Sequence, residues 1–177
     1  MAKTAKLATK TSIPDPKTRT FRTSIDLAPD VRQSCISLLN ARLADTFDLY
    51  SQLKQAHWNV KGMDFIQLHE LFDEVAERTL VYVDDIAERA IELGGYATGT
   101  ARMASASSSL PEYPTQATNG VEHLEAVVER MALYGKTVRQ CIDQSEELED
   151  KDTADLFTQI SRAVDKDLWF LEAHLQA

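Results

Sequence analysis

The sequence predicts an all-α protein that folds as a four-helix bundle with one long crossover connection. Apolar residues recur at spacings of three and four through four long segments, and most glycines and prolines lie between those segments. No segment shows the apolar–polar alternation that is typical of strands. With 177 residues, of which 44% are hydrophobic, the chain is long enough for one domain with a buried core.

The first helix is predicted over about Pro29–Asn59. Its apolar stripe lies within an arc of about 120° at 100° per residue. The stripe consists of Leu39, Leu43, Phe47, Tyr50 and Leu53. Because His57 falls in the middle of this arc, we expect its imidazole to point into the bundle.

A second helix is predicted over about residues 65–93, with Asp64 as its N-cap and the glycines at 94–95 at its end. Gly62 separates it from the first helix. A connection of about 24 residues follows, and residues 101–107 within it, ARMASAS, are predicted to form a short helix. So long a connection allows the chain to cross the bundle before the third long helix begins.

The third and fourth long helices complete the predicted bundle. Asn119 is the predicted N-cap of the third helix, and the acidic segment EELEDKD (residues 146–152) separates it from the fourth. Four long helices with a single crossover predict a ferritin-like four-helix bundle over residues 24–177, with a short helix in the connection between helices 2 and 3. The apolar positions of the last two helices are Val121, Leu124, Val128, Met131, Val138, Ile142, Phe157, Ile160, Val164, Leu168, Leu171 and Leu175.

Residues 1–23 show no apolar period and are predicted to form a flexible basic arm. Residues 1–22 hold six basic side chains against Asp15 alone, a net charge of +5, so the other 155 residues carry −14 within a total of −9. A positive arm on an acidic domain is a candidate for sequence-independent contact with DNA phosphates, and a solubilising or docked arm is the alternative. The six basic residues are Lys3, Lys6, Lys10, Lys17, Arg19 and Arg22.

Two features concern location. The N-terminal lysines are not followed by the apolar segment of a signal peptide, and no apolar run is long enough to cross a membrane. Cys35 and Cys141 both fall on apolar helical stripes, so buried, reduced thiols are expected rather than a disulfide. The sequence therefore predicts a cytoplasmic protein with no membrane partner.

Two imidazoles and three carboxylates fall within 32 positions of the first two helices. They are His57, His69, Asp73, Asp84 and Glu88. Carboxylate together with imidazole is the ligand set of non-haem iron or manganese sites. At 100° per residue, the last four share one stripe of about 100° on the second helix, to one side of its apolar stripe. That stripe should face a neighbouring helix or another molecule.

The spacing along the second helix limits how a metal ion is bound. Asp73 and Asp84 are 11 residues apart, about 16 Å along the axis, whereas metal–ligand bonds are about 2 Å long. Two copies of this helix packed antiparallel across a twofold axis would place the residues near His69 in one chain beside those near Glu88 in the other. The plainer explanation is that acidic i, i+4 pairs lie on a solvated face and that His57 is a core histidine.

The segment QAHWNVKGMDFIQLHELFDEV (residues 55–75), followed by VDDIAERAIELGG, resembles the signature of the Dps family, the miniferritins called DNA-binding proteins from starved cells. The resemblance extends over about residues 30–175, including DLWFLEAHL near the end. It implies a hollow twelve-subunit shell with ferroxidase centres at dimer interfaces. On this chain it implies one subunit's His57, His69 and Asp73, and its twofold mate's Asp84 and Glu88, as iron ligands.

The resemblance also implies the chemistry. Two ferrous ions each give one electron to hydrogen peroxide, which is preferred over dioxygen, and the ferric product is stored as mineral in the shell. Asp73 and Glu88 are the expected tightest or bridging ligands, and zinc is a non-redox occupant of the same site. Lys54 and Trp58 are expected beside the ligands. None of the four histidines has glutamate three residues before it, which argues against the within-subunit Glu-x-x-His site of ferritins.

Relatives in this family are thought to take up iron through an acidic threefold pore, for which Asp150, Asp152 and Asp155 are the candidates here. A helix start stabilised by its dipole is the alternative explanation for the first two. Relatives with a lysine-bearing extension use it to bind and condense DNA. The resemblance therefore implies an iron-oxidising, iron-storing, nucleoid-associated homododecamer that protects DNA from oxidative damage. The alternative is a nucleoid-packing structural protein with weak or no ferroxidase activity.

Overall fold

A computed structural model describes residues 19–176 as four long helices and one short helix. The elements are α1 (Pro29–Asn59), α2 (Phe65–Glu92), α3 (Ala101–Ser107), α4 (Gly120–Glu147) and α5 (Lys151–Glu172). No strand occurs among the described residues, so the predicted all-α bundle with a short helix in its crossover is confirmed. Within the same residues, no helix combines the length and apolar character needed to cross a membrane.

The helices pack as two hairpins, α1 with α2 and α4 with α5, and α1 also contacts α4 across the bundle. The crossover link lets α3 lie against α1 on its way from one hairpin to the other. Large aromatic side chains fill the middle of the core, among them Phe72, Tyr134 and Phe157, all fully buried. The Tyr134 hydroxyl stays satisfied through a hydrogen bond of 2.7 Å with the Thr46 hydroxyl.

Two N-cap residues were predicted, and the structure confirms one and contradicts the other. Asn119 caps α4 as predicted, because its side chain accepts a hydrogen bond from the Glu122 N–H at 3.1 Å. Asp64 stands at the N-cap of α2, but its side chain makes no capping hydrogen bond. Its backbone (φ −97°, ψ 23°) is not extended, and an N-cap side chain reaches the free N–H groups from an extended backbone.

The start of α5 contradicts one of the three pore predictions. Asp150 is only 2% exposed. It caps α5 by accepting a hydrogen bond from the Thr153 N–H at 3.1 Å, and it pairs with the Arg89 guanidinium of α2 at 2.8 Å. A carboxylate that is already buried and paired within one chain cannot line a pore. Asp152 and Asp155 are exposed on the same helix, so for these two residues a role in the pore stays a prediction.

Part of the predicted arm contacts the bundle. The Phe21 N–H donates a hydrogen bond of 2.7 Å to the Gly94 carbonyl. The Arg19 guanidinium lies over the Phe21 ring at 5.1 Å and over the Tyr96 ring at 5.6 Å. Gly94 is required at this contact, since its φ is +85° and a Cβ there would overlap the Phe21 carbonyl oxygen. Residues 1–18, with Lys3, Lys6, Lys10 and Lys17, lie outside the described residues.

Candidate metal centre

The two histidines of the candidate centre are held by reciprocal hydrogen bonds. His57 Nδ1 lies 2.7 Å from the His69 carbonyl, and His69 Nδ1 lies 2.8 Å from the His57 carbonyl. The two rings stack with their centroids 3.8 Å apart and their planes 20° from parallel. The tight turn between α1 and α2 creates this pairing, because it brings the end of one helix beside the start of the next.

These hydrogen bonds fix the position of one ring proton in both histidines. A carbonyl oxygen can only accept, so each Nδ1 must carry the proton that it donates. In a neutral imidazole the lone pair then lies on Nε2, which is the nitrogen free to bind a metal ion. Backbone carbonyls therefore orient His57 and His69 in the way that outer partners orient metal-binding histidines generally.

A carboxylate completes this half of the centre. Asp73 Oδ2 lies 4.0 Å from His57 Nε2, and Lys54 Nζ donates a short hydrogen bond to Asp73 Oδ1. The hydrogen bond from Lys54 is the main reason that the pKa of Asp73 lies below its ordinary value, and partial burial opposes this effect only in part. Asp73 is therefore anionic at neutral pH, which is the form that binds a metal cation.

Aromatic side chains border these groups. Lys54 Nζ lies 5.9 Å from the centre of the Trp58 ring, and Trp58 is 66% exposed. The Phe65 ring lies 5.0 Å from the His69 ring. Lys54 thus contacts the candidate ligand Asp73 directly, and Trp58 lies beside Lys54.

The other two candidate ligands lie elsewhere on α2. Asp84 and Glu88 are exposed, and both follow Asp73 by more than two helical turns. Within residues 19–176 of a single chain, no group of three or more histidine, cysteine or acidic side chains is arranged to hold a metal ion. In one chain, His57 lies near both His69 and Asp73, but these three side chains alone do not make a complete metal site, and Asp84 and Glu88 lie further along α2.

Exposed apolar side chains share the face of α2 that carries Asp73, Asp84 and Glu88. At 100° per residue, both sets fall within one arc of about 100°. We call this surface the outer face of α2. Its apolar members are Ile66, Leu80, Val81 and Ile91, each about half exposed. A stripe of this kind on a long helix is typical of a surface that another protein covers.

Comparisons with known proteins agree with this architecture. The ferritin-like domain family matches residues 36–177. The DNA protection during starvation protein of Agrobacterium fabrum is 43% identical over 158 residues, which cover 89% of this chain and 98% of that protein. The chain belongs to the Dps family. A relative of the same name from Brevibacillus brevis is 31% identical over 146 residues, covering 82% of this chain and 97% of the relative.

Solved Dps structures share the fold along most of their length. DpsC from Streptomyces coelicolor is 30% identical with a TM-score of 0.85, covering 89% of this chain and 92% of that chain. The tetragonal form of Mycobacterium smegmatis Dps gives the same identity and TM-score, covering 89% of this chain and 95% of that chain.

Sequence reasoning missed two features of this Dps family member near the centre. It did not foresee that the carbonyls of His57 and His69 orient each other's rings, since no side-chain pattern encodes a backbone acceptor. It also missed a buried pair formed by Tyr113 of the crossover link and His123 of α4. The path of an irregular link cannot be derived from helical periodicity.

Proposed function

We propose that this chain is a miniferritin that oxidises Fe(II), preferably with hydrogen peroxide, at centres shared between two subunits. The subunits form a hollow homododecamer that stores the ferric product and protects DNA from oxidative damage in the nucleoid. The observation that carries the proposal is the pairing of two oriented imidazoles with one anionic carboxylate on a chain whose other two ligands are out of reach.

The outer face of α2 supports a shared centre. Antiparallel packing of two such faces across a twofold axis covers the exposed apolar stripe. The same packing brings Asp84 and Glu88 of one subunit to the half-site formed by His57, His69 and Asp73 of the other. The 16 Å that separates the two sets in one chain, about 11 residues at 1.5 Å each, is then bridged by the partner.

The donor set suits iron as the substrate. Two neutral imidazole nitrogens bind Fe(II), and the three carboxylates favour Fe(III) over Fe(II), which lowers the potential and drives the oxidation. Asp73 and Glu88 are the proposed bridging or tightest ligands. Lys54 keeps Asp73 anionic before iron arrives. Zinc fits the same donors, and because it has no redox chemistry it should block the centre.

The proposal predicts a defined stoichiometry. Fe(II) is added to the protein without oxygen, and hydrogen peroxide follows while ferric absorbance and spin-trapped radicals are recorded. Each peroxide should consume two ferrous ions and yield water, with little hydroxyl radical. Protein loaded beforehand with Zn(II) is the control and should lose the rapid phase. If ferric absorbance rises no faster than in buffer alone, the ferroxidase proposal fails, and the structural role in nucleoid packing takes its place.

We assign DNA binding to the basic arm, because the rest of the chain carries a net charge of −14 and repels a duplex. Twelve arms of +5 would present about 60 positive charges, and multivalency would strengthen weak single contacts. Deletion of residues 1–12, which removes Lys3, Lys6 and Lys10, should abolish a gel shift of plasmid DNA at low salt.

The matched control for the arm removes three exposed lysines from the body of the protein. They are Lys61, Lys136 and Lys151, each changed to alanine. The control loses as much positive charge as the deletion and should still shift DNA. Added salt should weaken binding of the full-length protein, since phosphate contacts release counterions. Equal migration of the full-length and truncated proteins would remove the assignment.

Iron must reach the interior of the proposed shell. Asp152 and Asp155 are exposed on the first turns of α5, and we propose that they line the pore through which iron enters. Asp150 is excluded from this role by its burial and its pairing with Arg89.

A further inference from the structure

A buried tyrosine and a buried histidine form a hydrogen-bonded pair between the crossover link and α4. The Tyr113 hydroxyl lies 2.5 Å from His123 Nδ1. Tyr113 is 8% exposed and His123 is 1% exposed. Neither residue belongs to the candidate metal centre.

The surroundings indicate which of the two groups donates. His123 Nε2 is buried and reaches no hydrogen-bond partner within normal distance among the described residues, yet the nearby Asn59 backbone favours a proton on the ring. A proton on Nε2 leaves the lone pair on Nδ1, so the Tyr113 hydroxyl donates to it. Burial raises the pKa of Tyr113 to about 12 and lowers the pKa of His123, so both groups are neutral at neutral pH.

Tyr113 shares a cleft with Trp58, which lies beside the candidate metal centre. Tyr113 and Trp58 line the same cleft of about 510 Å³, between α1, α3 and the crossover link. Trp58 follows His57 directly in sequence and lies over Lys54, which bonds to Asp73. Of the two cleft residues, Trp58 is the exposed one beside the centre, at 66%, and Tyr113 is the buried one.

We propose that Tyr113 and His123 together act as an internal one-electron donor. They reduce Trp58 after a one-electron oxidant formed at the centre has oxidised its indole ring. The proposal rests on the proposed ferroxidase function, because peroxide that meets a single ferrous ion yields hydroxyl radical. The radical takes one electron from Trp58 and becomes hydroxide. The Trp58 radical cation then takes one electron from Tyr113, while the phenolic proton moves to His123 Nδ1.

These electron and proton transfers leave a neutral Tyr113 phenoxyl radical beside a His123 imidazolium, and they return Trp58 to its reduced form. A further ferrous ion can return the electron to Tyr113 as it becomes ferric, and the proton then moves back from His123. The net result is that both oxidising equivalents of the peroxide are used on iron, although only one ferrous ion was present at the start. The damage to the chain and to bound DNA is avoided.

The chain contains its own control for the role of His123. Tyr134 is also buried in the bundle, but its hydroxyl bonds to the Thr46 hydroxyl, which is not a base at neutral pH. A tyrosine can lose an electron easily only if its proton has an acceptor. Tyr113 should therefore be oxidised in preference to Tyr134.

The experiment uses iron-free, full-length protein, so that its outcome does not depend on ferroxidase activity. Azide radical from pulse radiolysis oxidises the tryptophan, and the optical bands of the indole and phenoxyl radicals are followed in time. All variants carry W169F, which leaves Trp58 as the only tryptophan of the two in the chain. In this background the indole band should decay as the phenoxyl band rises, and the transfer should slow in D₂O.

Three variants decide the outcome. Y113F should remove most of the phenoxyl band, and H123Q should slow its formation at least about tenfold and change the isotope effect, whereas Y134F should change neither. Circular dichroism and native mass confirm that each variant is folded and assembled. The proposal is overturned if Y113F keeps the phenoxyl yield, or if H123Q keeps both the rate and the isotope effect. If the protein fails to oxidise Fe(II) with peroxide but still transfers the radical from Trp58 to Tyr113, only the proposed ferroxidase function is refuted.

Discussion

Alanine in place of His57 is expected to slow peroxide-driven oxidation of Fe(II) by more than about 100-fold, since loss of an outer partner alone typically costs 10- to 100-fold. The substitution removes one imidazole ligand. It also removes the N–H that bonds to the His69 carbonyl, so the backbone around the second histidine loses its anchor. Stopped-flow absorbance after anaerobic loading with Fe(II) measures the rate.

The matched control for this substitution is His174→Ala. His174 is exposed near the C-terminal end of the chain, and its Nδ1 bonds only to the Phe170 carbonyl of the same segment at 2.8 Å. The control should oxidise iron at the wild-type rate. A His57→Ala protein that is folded, assembled and as fast as the control would show that this histidine is a core residue and no ligand.

Asp150→Ala is expected to lower the free energy of unfolding by about 3 kcal/mol. The substitution leaves the Arg89 guanidinium, itself mostly buried, without its main partner and removes the N-cap of α5. The loss lies at the low end for a broken buried pair because Arg89 keeps Glu92, at 3.1 Å. Urea unfolding at one fixed protein concentration measures it.

The control for the α5 start is Asp152→Ala, an exposed carboxylate in the first turn of the same helix. This substitution should lower the free energy of unfolding much less than Asp150→Ala does, because solvent screens the interaction of the Asp152 carboxylate with the helix dipole. Equal losses for the two variants would mean that the ion pair with Arg89 contributes little.

The stabilisation by Asp150 should also depend on pH in one direction. Burial disfavours its charge, but the hydrogen bonds from Thr153 and the charge of Arg89 outweigh burial and hold its pKa below the ordinary value. A carboxyl whose pKa is lower in the folded state stabilises the fold above its unfolded pKa, and this stabilisation is lost as the pH falls through the folded pKa. The difference between wild type and Asp150→Ala should therefore stay constant near neutral pH and shrink below about pH 4.

Helical periodicity predicted the bundle well but misjudged one face of α1. The predicted stripe included Phe47 and Tyr50, which are only partly buried, and omitted Leu49, which is fully buried. The reason is a second covered face, where Asp45 accepts a hydrogen bond from the Ser109 N–H at 2.6 Å and Gln52 donates one to the Pro111 carbonyl at 3.0 Å. An irregular link covers that face, and its path is set by tertiary contacts that periodicity does not encode.

In the candidate site, too, some features could be predicted from local sequence and others depend on tertiary contacts. Spacing along one helix was enough to predict that Asp73 and Asp84 cannot share a metal ion within one chain, since that argument needs only the helical rise. It could not predict that Asp150 is committed to Arg89, because the partner lies 61 residues away on another helix. Local sequence reveals which side chains can bind a metal ion, but it does not reveal which of them another part of the fold has already paired.

The central claim is that each ferroxidase centre takes ligands from two chains, and mixed assemblies test it most directly. One variant carries His57→Ala with Asp73→Ala, and the other carries Asp84→Ala with Glu88→Ala. Each alone should be inactive. Unfolded together and reassembled in equal amounts, they should recover about a quarter of the wild-type rate, since half of the dimers are mixed and each mixed dimer holds one intact centre of two. A mixture as inactive as its parents, with mixed dimers proven by native mass spectrometry, would contradict the shared centre.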